Sequence, residues 1–166
     1  MFKNSRLVAR VALLSLAALA ASIAKAEQPC FTAASLHGTY AVVATYGANV
    51  AIALGVRHFD GQGNLTGTFV LNAPVVGSAT GARTIITGTQ LGTYSVNCDG
   101  TGTITRTITS STGVVTVQTD NLLITKSKEG SHDSPLAVAL EDMQQTPSAL
   151  APGGLFAFRS YTRQSD

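Results

Sequence analysis

The stretch Phe59-Asp60-Gly61-Gln62-Gly63-Asn64-Leu65-Thr66-Gly67-Thr68-Phe69 returns as Cys98-Asp99-Gly100-Thr101-Gly102-Thr103-Ile104-Thr105-Arg106-Thr107-Ile108. The two copies agree at the Asp-Gly, the second glycine, the aliphatic position and both threonines. Asp-Gly followed by Gly is the chemistry of a tight reversal, in which glycine accepts positive φ. The alternation of Thr with apolar residues behind it suits a half-buried strand. The chain therefore writes one β-hairpin twice, and Gly61 and Gly100 are expected at positive φ.

The residues on either side read the same way. Strands are expected over 39–45, 51–59, 64–71, 83–90, 93–98, 103–109, 114–119, 122–126 and 155–161, cut by Gly, Asn and Asp, with a break near Asp120-Asn121 and a further apolar run over 135–140. A polar loop is expected over 126–134. Glu141-Asp142-Met143-Gln144-Gln145 reads as a helical turn leading into an irregular connection marked by Pro147 and Pro152. About eight or nine strands with short antiparallel links predict an all-β fold, an antiparallel up-and-down β-barrel, with a β-sandwich as the alternative. Gly38-Thr39-Tyr40 repeated as Gly92-Thr93-Tyr94, and glycines inside strands at Gly55, Gly67 and Gly88, favour the barrel, because a sheet that closes must bend sharply.

The first 26 residues read as an address. Lys3, Arg6 and Arg10 precede an apolar run over 11–23 and the A-x-A site Ala24-Lys25-Ala26, the pattern of a secretory signal peptide. The run is shorter than the roughly 20 residues a membrane helix needs. Cleavage after Ala26 would remove four of the eleven Lys and Arg and none of the nine Asp and Glu, moving the formal charge from +2 to −2. A mildly acidic chain without a basic cluster has no footprint for nucleic acid. The expectation is one exported domain over 27–166, periplasmic or extracellular, without a membrane span and with oligomerisation left open. In an oxidising compartment Cys30 and Cys98 are expected to form a disulfide.

The residues Leu36-His37-Gly38-Thr39-Tyr40, the run from Gly55-Val56 into the first Asp-Gly turn, and Gly92-Thr93-Tyr94-Ser95-Val96-Asn97-Cys98 leading into the second resemble the bacterial exported allene oxide cyclase-like, calycin-type β-barrels. The resemblance covers about half of 27–166 and implies the barrel. Its plant members isomerise a fatty-acid epoxide, but no catalytic motif of theirs aligns here, so no catalytic residue is carried over. The stretch from Ser131 to Gly154 departs from the family's final strands.

Two residues stand out as ligand-binding candidates. Aligning the hairpins sets Leu65 with Ile104, Gly67 with Arg106 and Phe69 with Ile108. If that parity faces the interior, the Arg106 guanidinium needs an anion, and a ligand carboxylate would supply one. The plainer reading is an outward face, or an Asp or Glu from another strand. His58 shares parity with Ile52, Leu54 and Val56 and is the second candidate, set against a partly exposed histidine at a strand end. Ser131-His132-Asp133-Ser134 has the residue types of a hydrolase triad but no nucleophile elbow. His37, His58 and His132 lack metal-ligand spacing, and neither a metal nor another cofactor is expected. The tyrosines and Phe59, Phe69, Phe156 and Phe158 read as packing residues. The functional expectation is a barrel holding a small apolar or amphiphilic ligand; the alternative is an isomerase or cyclase acting on a lipid-derived substrate.

Overall fold

The computed structural model describes residues 30–48, 50–130, 134–151 and 153–164. The signal-like segment and residues 131–133 of the triad-like tetrad lie outside the described residues. Eight strands follow one another: β1 (His37–Tyr46), β2 (Ala51–Asp60), β3 (Asn64–Pro74), β4 (Arg83–Val96), β5 (Thr101–Ser110), β6 (Val115–Lys128), β7 (Leu136–Gln144) and β8 (Ala157–Arg163). Each pairs antiparallel with the next, and β8 returns to β1 through Tyr46↔Ala157 to Tyr40↔Arg163. The sheet is a closed up-and-down barrel, so the sandwich is excluded and no edge strand is left unpaired.

Three expected interruptions are strand instead, and elsewhere the bounds move by one to three residues, β3 running on to Pro74 and β6 to Lys128, into the polar loop expected over 126–134. The segments expected at 83–90 and 93–98 are one strand, β4. Gly92 does not interrupt it; it lets β4 lie against β5, where a Cβ would stand 2.1 Å from the Thr105 carbonyl oxygen and 2.6 Å from the Arg106 Cα. The break expected at Asp120-Asn121 is continuous β6. Asp120 turns inward and Asn121 outward, where its Oδ1 accepts a hydrogen bond from Gln145 Nε2 at 2.9 Å. Glu141 to Gln144 is the end of β7 rather than a helical turn, and it alternates so that Asp142 and Gln144 are buried. In the last two cases polar residues that look like punctuation serve the two sides of a strand.

Both Asp-Gly turns form as expected, with Gly61 at φ 78° and Gly100 at φ 84°. The Asp60 carboxylate accepts hydrogen bonds from the Gln62 and Asn64 amides at 2.7 and 2.9 Å, and Asp99 accepts from the Thr101 amide at 3.0 Å. Asn64 Nδ2 also donates to Asp60, and these bonds bring the Asp60 pKa down to about 2.

The barrel interior has two apolar clusters. One lies at the end where the chain enters and where the Asp-Gly turns sit, here called the leader end. It gathers Leu36, Tyr40, Phe59, Leu65, Tyr94 and Ile104 among others, with Phe59 edge-on to Tyr40 and Tyr94 at 5.4 and 5.0 Å between ring centres. A 3-10 turn, Ala33–Ser35, caps this end. Its carbonyls and those just beyond it accept hydrogen bonds from the Tyr94 hydroxyl, at 3.0 Å for Ala33 and 2.8 Å for Leu36. The expected disulfide Cys30–Cys98 ties the same segment down, with Cα atoms 4.4 Å apart. The second cluster, including Tyr46, Leu71, Ile86, Ile108 and Leu150, fills the opposite or loop end, under connection 145–156.

Candidate functional site

Between the two clusters the barrel is crossed by a buried charged layer. It is built from inward positions on five strands: Arg57 on β2, Arg106 on β5, Asp120 on β6, Asp142 on β7 and Arg159 on β8, none more than 3 % exposed. Gln90 on β4 and Tyr161 on β8 complete it. The strand period of two makes this possible, since each charged residue is flanked two positions away by an inward residue of an apolar cluster, as Arg57 is by Phe59 and Arg106 by Ile104 and Ile108.

The contacts form one network. Arg106 donates from Nε to Asp120 Oδ2 at 2.8 Å, from Nη2 to Asp120 Oδ1 at 3.1 Å, and from Nη1 to Gln90 Oε1 at 3.2 Å. Arg159 Nη1 bridges both acids, at 2.6 Å from Asp142 Oδ1 and 3.2 Å from Asp120 Oδ1. Arg57 donates from Nη2 to Gln90 Oε1 at 2.9 Å and from Nη1 to Asp142 Oδ2 at 3.3 Å and to the Tyr161 hydroxyl. The Tyr161 hydroxyl in turn donates to Asp142 Oδ2, and its ring centre lies 4.9 Å below the Arg57 guanidinium carbon.

The balance of this layer is uneven. Three guanidiniums face two carboxylates, so one positive charge is left over in a medium where charge is costly. Burial lowers the Arg106 pKa, and the like charges of Arg159 and Arg57 add to that effect against the pull of Asp120. Arg159 goes the other way: burial opposes its charge, but Asp142 and Asp120 together raise its pKa well above the ordinary value. Burial also works against the Asp142 carboxylate, yet Arg159, Arg57 and Arg106 outweigh it and hold its pKa down. Among the described residues, Arg57 Nε is a buried side-chain nitrogen with no hydrogen-bond partner.

Above the layer, on its loop-end side, is a cavity of about 30 Å³. Its floor is Arg57, Gln90, Arg106 and Arg159; Ala44, Ala53 and Ile108 are in its wall, and Leu150 lies over it. Space remains because the inward positions of β1 and β2 are small here. Connection 145–156 holds Leu150 in place through Ser148, whose amide donates to the Leu155 carbonyl at 2.7 Å and whose hydroxyl accepts from the Leu150 amide at 3.2 Å. The volume is room for about two waters or the head of a small anion. No protein-family model, no curated protein and no solved structure matches this chain.

The two sequence candidates part company. Arg106 faces the interior on the parity it shares with Ile104 and Ile108, and it is paired with an acid from another strand, Asp120, as the plainer reading allowed. His58 does not join it. The side chain of His58 is exposed on the outer wall, where its Nδ1 lies 3.3 Å from Thr39 Oγ1. Its parity with Ile52, Leu54 and Val56 holds, but that face is the outer one: these residues are 49, 64 and 40 % exposed. The inner face of β2 carries Ala51, Ala53, Arg57 and Phe59. Phe156 and Phe158 likewise turn outward rather than into the core.

Arg57, Asp120, Asp142 and Arg159 were not singled out by the sequence reading. A signal was available in the charges lodged inside strand-forming runs. Asp120 reads instead as part of a break and Asp142 as part of a helical turn.

Proposed function

We propose that this chain is an exported barrel that binds the acidic head of a small amphiphile at the arginine layer, with the apolar part of the ligand directed toward Leu150. The observation that carries the reading is the uncompensated positive charge on the cavity floor. A monoanion there would balance three guanidiniums against three negative groups and give the orphaned Arg57 Nε an acceptor. The lining is guanidinium, amide and aliphatic, the chemistry of anion capture beneath an apolar wall. The signal-like segment and the Cys30–Cys98 disulfide support export.

Calorimetric titration with hexanoate, against 1-hexanol as the uncharged control, tests this. Hexanoate should bind and hexanol should not. Arg106→Met, which keeps the apolar stem and leaves Asp120 paired with Arg159, should weaken hexanoate by about tenfold or more while circular dichroism stays that of the barrel. Equal behaviour of hexanoate and hexanol, or a folded Arg106→Met that binds as wild type does, would remove the basis of the reading.

A further inference from the structure

The outer surface separates charge by end. Among the described residues, the Asp, Glu, Lys and Arg that are not in the buried layer crowd toward the leader end: Asp60, Asp99, Lys126, Lys128, Glu129 and Arg163 all lie in its turns or at its strand ends. Glu141 belongs with them, since it is opposite Leu123, which is opposite Thr101, the first residue of β5. At the other end the sequence of all four connections, 47–50, 75–82, 111–114 and 145–156, contains no charged residue and no histidine. The exception among the strand residues there is Arg83. Its guanidinium is committed to Asn72 Oδ1, the Asn72 carbonyl and the Val50 carbonyl at 2.7 to 2.9 Å.

That uncharged end is also apolar. Val50, Val75, Val76 and Phe156 stand out from its connections, Val76 being 78 % exposed. Below them the outer wall continues with Val43, Leu54, Val70, Ile85, Val117 and Phe158, one from each of six strands spread round the circumference. A closed barrel has no edge to pair with, so this surface can be covered only through its side chains.

We infer that the loop end docks end-on into a lipid surface, burying its uncharged connections and the adjoining collar of the wall. Three observations choose this occupant. The apolar residues run round the barrel, whereas a second copy covers one side. A surface without charge offers nothing to an ionic partner, so the match is to apolar acyl chains rather than to charged headgroups. The cavity above the arginine layer lies under the same connections, so an amphiphile reaching it would come from that side. Docking rather than spanning follows from the aromatics: Tyr40, Tyr46, Tyr94 and Tyr161 are all buried inside, the outward Phe156 and Phe158 both lie at the loop end, and the outward residues of β5 are Thr103, Thr105, Thr107 and Thr109. A spanning barrel would present aromatic girdles outward.

Flotation of the full protein with phosphatidylcholine vesicles tests the inference. The protein should float, to the same degree when about a third of the lipid is phosphatidylglycerol and when salt is raised to about 0.5 M, where exposed charges are screened. Val76→Asp and Leu54→Asp, both at exposed positions, should each reduce the bound fraction by about tenfold. Gln62→Asp at the leader end should leave it unchanged. No flotation of wild type, flotation that needs anionic lipid or disappears in salt, or loss caused by Gln62→Asp would each overturn it. So would sedimentation showing an oligomer that Val76→Asp and Leu54→Asp dissociate while vesicle binding stays absent.

Discussion

The leader end and the loop end of the barrel are closed in different ways. At the leader end a covalent tie, an aromatic cluster and a 3-10 turn converge. Leu36 is fully buried, the Tyr94 hydroxyl holds the Ala33 and Leu36 carbonyls, and the Phe31 amide donates to the Cys98 carbonyl at 3.2 Å. At the loop end one connection lies across the opening, Leu150 is its inward stopper, and a cavity remains beneath. The charged layer separates the two. One half of a single barrel is thus a sealed base, and the other keeps space beside an unbalanced charge.

The largest test of that contrast is the disulfide. Cys30 and Cys98 close a loop of 68 residues, which on the chain-entropy account contributes roughly 4 kcal/mol. The Cys30→Ser, Cys98→Ser protein should unfold at correspondingly lower urea while hexanoate binding, measured on the folded population, is retained. A loss of binding without a loss of stability would mean that the two ends are not independent.

A paired truncation comes next. Leu36→Ala should cost about 3 kcal/mol, because it empties a site enclosed on every side. Leu150→Ala should cost less, about 1 to 2 kcal/mol, since a connection can settle into the space left behind. It should also admit longer ligands, so that octanoate gains on hexanoate. Equal urea midpoints for the two variants would show the loop end to be packed as tightly as the base.

The smallest effect contrasts two glycines. Gly100 has positive φ, and a Cβ there would meet the Phe31 ring at 3.2 Å; Gly81 has φ 69° and nothing within 4 Å. Alanine at Gly81 should cost about 1 kcal/mol through backbone conformation alone, and alanine at Gly100 about 2 kcal/mol because the leader must also shift. Thermal melts of the two variants separate these values. If Gly81→Ala proves the more damaging, the tighter end has been misassigned.

The fold was largely legible in the sequence because its signals are local. An Asp-Gly turn uses its own carboxylate to bind the next amides, as Asp60 and Asp99 do, and alternation of Thr with aliphatics needs no partner to be recognised. The three misread boundaries came from residues that commonly end strands, a glycine at Gly92 and polar residues at Asp120 and over Glu141 to Gln144. A period-two strand with one wet and one dry face leads the eye to put charge outside. Here the charges of Arg57, Asp120, Asp142 and Arg159 are inside, and aliphatics such as Leu54 and Val70 are outside. The same inversion turns the Ile52, Leu54 and Val56 face outward and His58 with it, which leaves the exposed strand-end reading of that histidine and removes it as a ligand candidate.

Strand order, the two repeated turns and the parity that Arg106 shares with Ile104 and Ile108 can be read from the chain alone, since these depend on residues a few positions apart. What Arg106 meets depends on how the strands assemble. Asp120 faces it from β6, while Arg57, Asp142 and Arg159 come from β2, β7 and β8 and reach the same layer once β8 pairs with β1. The net charge of that layer is a sum over five strands, and closure of the barrel is the step that puts its terms within a few ångströms of one another, in a medium too apolar to screen them.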